Sequence, residues 1–265
     1  MLQLIKNEWI KLAKKNSTWI MLGILAILTV GITLLIKMVN TEPMGANDLF
    51  ASLTDMTSFL NLFVVVVAAS SIAEEFSRGT IKFLLIRPYS RTQIFAAKFI
   101  NSLLFALLGT VVLGIVSFLS ANLLLKSQSP FELVAEFGGW SALQVALMTA
   151  LVNLLLVVLY VTITMFISAT MRSQAMAVGL GVGVLFGSSL INSFMAMGIS
   201  KYPWLKWNLF NTLNIRETLP QLAGVKLDPY YTLDFWQSLG ALGVYAVLFY
   251  FFANWIFSAR DVALS

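Results

Sequence analysis

The chain has 265 residues, of which 59% are hydrophobic and only 11% are charged. Soluble domains carry about 25% charged residues, so this composition excludes an ordinary soluble domain. The sequence contains neither His nor Cys, which excludes zinc sites built on those ligands, Ser–His catalysis and disulfides. We expect no metal site.

Six runs of the sequence without Asp, Glu, Lys or Arg are close to the length of a membrane-spanning helix, or longer. They cover residues 16–36, 56–73, 99–125, 137–171, 173–200 and 235–259. A helix needs about 20 apolar residues to cross a bilayer. We therefore predict an all-α integral membrane protein with six transmembrane helices, forming a single transmembrane domain over residues 1–265.

The distribution of lysine and arginine predicts the orientation. If six spans alternate, 11 of the 17 basic residues fall on the side that holds both chain termini. Basic residues accumulate in cytoplasmic loops, so we predict that both termini are cytoplasmic. The same rule accounts for the net charge of +5 without a nucleic-acid partner.

Residues 1–15 have the pattern of an amphipathic helix. With 100° per residue, the polar side carries Lys11, Lys14, Lys15, Asn7 and Glu8. The apolar side carries Leu2, Ile5, Trp9, Leu12 and Ala13, while Leu4 and Ile10 interrupt the pattern. A basic amphipathic helix beside a first span is typical of the lipid headgroup layer, so we predict an interfacial helix in contact with membrane lipid, with Ile5, Trp9 and Leu12 facing it. The alternative is a frayed basic N-terminus that only sets topology.

The connection 74–91, between spans two and three, has its own helix signals. Gly79 is typical of the residue just past a helix end, and Thr80 can cap a new helix. Pro88 would end that helix, and residues 90–93 have capping-box spacing for the start of span three. The pattern predicts a helix end, a short helix, a turn and a helix start at a membrane surface. The alternative is a plain loop that retains positive charge.

Two further regions carry predictions of this kind. Lys98 lies about two turns into the third helix, where its stem can extend back to the headgroups. Residues 199–236 are rich in Trp and Tyr, which favour the membrane interface. We predict short outer helices there, lying on or dipping into the outer leaflet. The alternative is an ordinary outer loop whose aromatic side chains pack on the ends of the spans.

Small and polar residues within the spans are candidates for contacts between helices. Span five has small residues at four-residue intervals, here called the glycine face: Ala175, Gly179, Gly183 and Gly187. This spacing lets helix backbones approach closely, either within one subunit or at a dimer seam. The polar residues of interest within the spans are Asn61, Asn101 and Asn153, which either join helices by hydrogen bonds or line a transport pathway.

Several activities lack their sequence signals. A Walker A motif requires Gly-Lys followed by Ser or Thr, and the chain contains no Gly-Lys pair. The charge-free runs also lack the ionisable residues that proton-driven carriers keep within their spans. We expect neither an enzyme nor a proton-coupled transporter.

With these features together, the chain resembles the membrane subunit of an ABC type-2 transporter. In that family, the connection between spans two and three holds an acidic residue, Arg-Gly-Thr, an apolar helix and a proline, and it docks into a separate ATPase. Residues 74–88 match this pattern, and the six-span topology matches over the whole chain. The resemblance implies that the following residues couple to the ATPase: Glu74, Glu75, Phe76, Arg78, Gly79, Thr80, Lys82, Phe83 and Arg87.

The resemblance also implies partners. Two copies of a separate ABC ATPase would hold ATP and Mg, so this chain would be a permease that binds no cofactor itself. A second copy or a sister permease would complete the assembly in a bacterial plasma membrane. The cargo would be apolar or amphipathic, for instance a peptide antibiotic or lantibiotic whose export gives resistance or immunity. A stand-alone channel, or an immunity protein that sequesters a toxin without ATP, is the alternative.

Overall fold

A computed structural model describes residues 1–39, 45–53, 56–80, 88–133, 139–199, 201–224 and 233–260. These ranges contain no β-strand, only two isolated bridges. The α-helices are α1 (Leu2–Ala13), α2 (Asn16–Val39), α3 (Ala46–Leu53), α4 (Thr57–Ser77), α5 (Arg91–Leu124), α6 (Ala142–Thr170), α7 (Gln174–Ile199), α8 (Leu209–Thr212) and α9 (Phe235–Ala259). Six of them (α2, α4, α5, α6, α7 and α9) are long and apolar enough to cross a membrane, which confirms the predicted fold class.

Local sequence signals set several helix boundaries. The Ser90 hydroxyl accepts from the Gln93 backbone N–H, and the Gln93 side chain accepts from the Ser90 N–H, which is the predicted capping box of α5. Ser141 and Gln144 start α6 in the same way. Arg78 ends α4, and Gly79 follows in the left-handed region at φ 67°, as expected for a residue just past a helix end.

Helices α4 and α6 form the centre of the bundle. They pack on each other, and α6 also packs on α9, while α5 lies against both α2 and α4. Leu60, Phe105 and Val157 in this core are fully buried. A Cβ at Gly109 would overlap the end of the Leu60 side chain, so any larger residue there would force Leu60 to move.

The N-terminal helix α1 is present, but its buried face differs from the prediction. Leu4 is fully buried against the core, whereas Leu2 is 83% exposed. Glu8, predicted on the polar side, is only 8% exposed. Ile5, Trp9 and Leu12 are partly buried against the core. The buried face is therefore centred nearer Leu4 and Glu8, and the location of α1 in the headgroup layer remains a prediction.

The opposite end of the bundle holds the short helices. Residues 201–224 form two 3-10 helices, Pro203–Trp207 and Ile215–Ala223, with α8 between them. Leu213, Ile215 and Leu219 are buried in a cluster with α6 and α9. Helix α3 was not predicted from the sequence. It packs on α5 and α6, and the Asn47 side chain donates to the Ser129 carbonyl at 2.8 Å.

Candidate functional site

The candidate site is the end of the bundle where α1 meets the last turn of α4 and the first turns of α5, here called the basic end. The Lys98 ammonium lies 2.9 Å from Glu8 Oε2 and 2.9 Å from Glu75 Oε1. The Lys11 ammonium contacts Glu8 Oε1 at 2.6 Å and Glu75 Oε1 at 3.3 Å. One ionic network therefore joins α1, α4 and α5.

The network satisfies charges that are hidden from water. Lys98 is 3% exposed, so it does not extend to the headgroups as predicted. It contacts two carboxylates, because a buried ammonium without partners would be strongly destabilising. Burial alone would raise the pKa of the Glu8 carboxyl, but Lys98 and Lys11 together hold that pKa below its ordinary value.

The predicted coupling residues that the structure describes lie at this end. Glu74 contacts the Lys15 ammonium at 2.6 Å and the Arg78 guanidinium at 2.8 Å. The Thr80 hydroxyl donates back to the Glu75 carbonyl at 3.4 Å, which closes the end of α4. The predicted short helix, with Lys82, Phe83 and Arg87, falls within residues 81–87 and lies outside the described residues.

Arginines join the remaining helix ends to this region. The Arg260 guanidinium lies 3.9 Å from the centre of the Phe76 ring. The same guanidinium donates to the carbonyls of Ala169 and Met171 at the end of α6, at 2.6 and 3.1 Å. Arg91 donates to the carbonyls of Ser258 and Arg260 at the end of α9, at 2.9 and 2.7 Å. Phe76, a predicted coupling residue, is thus linked to α6 and α9.

A cavity of about 910 Å³ adjoins the network. Its wall includes side chains of α1, α2, α4 and α5, with charged groups from the network and apolar groups such as Met21 and Val66. Asn101 also contributes to the wall. Of the three asparagines singled out in the spans, it alone is a wall residue of this cavity.

Asn61 and Asn153 instead contact each other. Each side-chain amide donates to the carbonyl oxygen of the other, at 2.9 and 3.1 Å. Both residues are buried. This pair joins α4 to α6 by hydrogen bonds, which is the structural alternative considered for them.

Among the described residues, none packs closely against the glycine face. A Cβ at Gly179, Gly183 or Gly187 would meet no heavy atom within 4 Å, and Ala175 is exposed. Two other glycines of α7 do pack. A Cβ added at Gly181 would lie 3.0 Å from Val65 and 3.2 Å from Thr164, and one added at Gly198 would lie 2.9 Å from Leu205. Packing among the described residues of one subunit therefore does not account for this spacing of small residues.

Sequence reasoning missed the contact of Glu8 with Lys98. Lys98 was visible as a charge beyond the first turn of a long apolar helix, which was a signal for a buried partner. The partner lies 90 positions away in the sequence, and no spacing rule connects the two. Within the described residues, no group of three His, Cys, Asp or Glu could hold a metal ion.

Two proteins of Bacillus subtilis (strain 168) are similar to the chain over nearly its full length. One is named "Uncharacterized protein YhcI", with 29% identity over 99% of this chain and 100% of its own. The other is named "Uncharacterized membrane protein YdbK", with 27% identity over 95% of this chain and 99% of its own. With six apolar helices and a relative named as a membrane protein, the chain is a multi-pass membrane protein. A family profile described as "Protein of unknown function (DUF2705)" matches residues 23–263, so the chain belongs to that family.

Proposed function

We propose that the chain is the membrane-spanning subunit of an ATP-driven exporter of the ABC type-2 kind. Two copies of a separate ATPase would bind ATP and Mg and contact the connection after α4. The cargo would be apolar or amphipathic. Both termini would lie in the cytoplasm of a bacterial cell, because the basic end then follows the positive-inside rule.

The observation that carries this proposal is the set of contacts at the end of α4. Glu75 is bound to α1 and α5 through Lys11 and Lys98. Phe76 is linked through Arg260 to α6 and α9. Arg78, Gly79 and Thr80 follow directly. A displacement of this connection by an ATPase would therefore act on four other helices.

The glycine face supports a second copy or a sister permease as a partner. Small residues let membrane helices approach closely, and the positions at Gly179, Gly183 and Gly187 are open. A permease dimer with one ATPase per subunit would use this face of α7 as its seam.

The test is a pull-down of the tagged protein from native bacterial membranes in mild detergent, followed by mass spectrometry. We expect an ATPase with a Walker A motif at about equal stoichiometry. The double variant Arg78→Glu/Arg87→Glu should insert normally and lose that ATPase, because the basic groups at both ends of the connection are reversed. The matched control Lys37→Glu, at the other end of α2, should retain it.

Absence of an ATPase from intact, folded wild-type protein would refute the proposal. The stand-alone channel or immunity protein would then be the better account. An ATPase that stays bound to the double variant would refute the assignment of the connection.

A further inference from the structure

The cavity at the basic end lies where α2 and α4 diverge. Helix α2 packs mainly on α5, and α4 packs mainly on α6 and α7, so α2 and α4 contact each other little. Lys14 and Lys15 at the wall are exposed. The cavity therefore joins the surface of the bundle to a gap between two membrane-spanning helices.

The charge of the wall favours an anion. Among the described residues of the wall, five basic residues face three carboxylates. Each carboxylate already contacts two basic groups: Glu8 with Lys11 and Lys98, Glu74 with Lys15 and Arg78, Glu75 with Lys11 and Lys98. Within the described part of the chain, the Lys14 ammonium has no side-chain partner. A cation entering the cavity would meet carboxylates that are already paired, whereas an anion would meet excess positive charge.

Two buried oxygens require a hydrogen-bond donor. Asn101 is 4% exposed, and its Oδ1 has no donor among the described residues. Its amide nitrogen donates to the carbonyls of Ile5 and Ala97 at 3.2 and 2.8 Å. Exchanging the two amide atoms would place oxygen against oxygen, so this orientation is fixed. The Oε2 atom of Glu75 is also without a donor in the described ranges. Both residues contribute to the wall of the cavity. A buried acceptor without a donor is costly, so a ligand hydroxyl that reaches either oxygen after a small side-chain movement would relieve that cost.

The rest of the wall is mixed. Leu12, Met21, Val66 and Val67 provide apolar surface, and hydroxyl and amide side chains lie beside them: Ser17, Thr18, Ser70, Ser71, Thr80, Ser102 and Gln174. A ligand that matches the whole cavity has an anionic group, uncharged hydroxyl donors and a hydrocarbon part. These are the parts of a phospholipid whose headgroup is a polyol.

We propose that the cavity binds one anionic phospholipid with a hydroxyl-bearing headgroup, for which phosphatidylglycerol is the probe. The phosphate lies among the lysines of the wall, the hydroxyls donate to Asn101 and Glu75, and an acyl chain lies between α2 and α4. This site does not depend on an ATPase or on transport, so its failure and that of the proposed function are separable.

The test is native mass spectrometry of purified protein with three lipids: phosphatidylglycerol, phosphatidylethanol and phosphatidylcholine. Phosphatidylethanol has the same charge as phosphatidylglycerol but no headgroup hydroxyl. We expect one phosphatidylglycerol per chain, bound on the order of 30-fold more tightly than phosphatidylethanol, as two hydrogen bonds of about 1 kcal/mol each provide. Phosphatidylcholine should bind more weakly than either.

Three variants separate the parts of the site. Lys14→Gln should weaken phosphatidylglycerol about fivefold, the effect of one basic group on an anionic lipid, and keep the preference over phosphatidylethanol. Asn101→Ala should reduce that preference to about fivefold, because the hydrogen bond to Glu75 would remain. The control Lys37→Gln removes the same charge from an exposed position at the other end of α2. It should change neither the affinity for phosphatidylglycerol nor the preference over phosphatidylethanol.

If Lys14→Gln and Lys37→Gln weaken phosphatidylglycerol binding equally, the proposal is overturned. The lipid would then be attracted to basic residues in general and not to this cavity. Equal binding of phosphatidylglycerol and phosphatidylethanol to the wild type would also overturn it. That comparison uses unaltered protein and holds even if Asn101→Ala fails to fold.

Discussion

At the scale of single residues, the first prediction concerns Lys98. Lys98→Met would leave Glu8 and Glu75 without their most buried partner, since Lys98 is 3% exposed. Removing one member of a buried ion pair costs about 3 kcal/mol or more. We expect a lower melting temperature in detergent, measured by a thermal unfolding assay.

The control for this variant is Lys37→Met, which removes an exposed lysine from the last turn of α2. It should change the free energy of unfolding by less than about 0.5 kcal/mol. The double variant Lys98→Met/Glu8→Gln should be more stable than Lys98→Met, because it removes a buried carboxylate that would have the exposed Lys11 as its one remaining partner. A melting temperature of Lys98→Met equal to that of wild type would contradict the network.

The second prediction at this scale is a pH dependence. The pKa of Glu8 lies below its ordinary value, so its pairing stabilises the fold above the unfolded-state pKa of about 4.3. That stability is lost as pH falls through the lower folded-state pKa. The difference in melting temperature between wild type and Glu8→Gln should be constant from pH 7 to about 5. It should shrink below a pH of about 4.3.

Glu75 is present in both proteins, so the difference between them reports on Glu8. A difference that stays constant well below the pH window, or that grows there, would contradict the ionic role of Glu8. Of this network, the sequence predicted a charged end of α4 and a lysine within the third span, which is α5. It did not predict their contact with Glu8, because a contact across 90 positions depends on tertiary packing.

At the scale of helices, neighbouring glycines of α7 should behave differently. Gly181→Leu would force a side chain against Val65 and Thr164, and overpacking of this kind costs about 2 kcal/mol. Gly183→Leu enters open space, so the monomer should keep its melting temperature. If the glycine face is the dimer seam, only Gly183→Leu should shift purified protein from dimer to monomer in multi-angle light scattering.

A stable dimer of Gly183→Leu would remove the glycine face from the proposed seam, whatever happens to Gly181→Leu. The pair is matched because the two positions are two residues apart on one helix and receive the same side chain. The spacing of small residues predicted a close approach of helices, but only the structure distinguishes Gly181, which packs inside, from Gly183.

The six long helices could be predicted because their lengths and charge-free sequences are fixed by the bilayer. Helix α3 could not, because its eight residues are too few for a span and its burial depends on contacts with α5 and α6. The buried face of α1 was misplaced for a related reason. A glutamate is normally assigned to the polar side, and Glu8 is buried only because Lys98 contacts it.

At the scale of the whole molecule, the prediction is the orientation in the membrane. The sequence has no native Cys, so single cysteines can be labelled without background. Ser77 and Ser127 are both exposed, at opposite ends of the bundle. In intact cells, Ser77→Cys should resist an impermeant maleimide and Ser127→Cys should react. Permeabilised cells should label both, and the reverse pattern in intact cells would invert the orientation.

The contact of Arg260 with the end of α6 has a consequence for biosynthesis. Its guanidinium donates to the Met171 carbonyl, which precedes it by 89 positions. At about 5–20 residues per second, a ribosome takes roughly 4 to 18 seconds to reach Arg260 after Met171. During that interval the end of α6 has no such donor, and α9 has not yet been inserted against it. The nascent bundle therefore passes through a stage in which five spans await the sixth, and the end of α6 is then open to membrane chaperones and proteases.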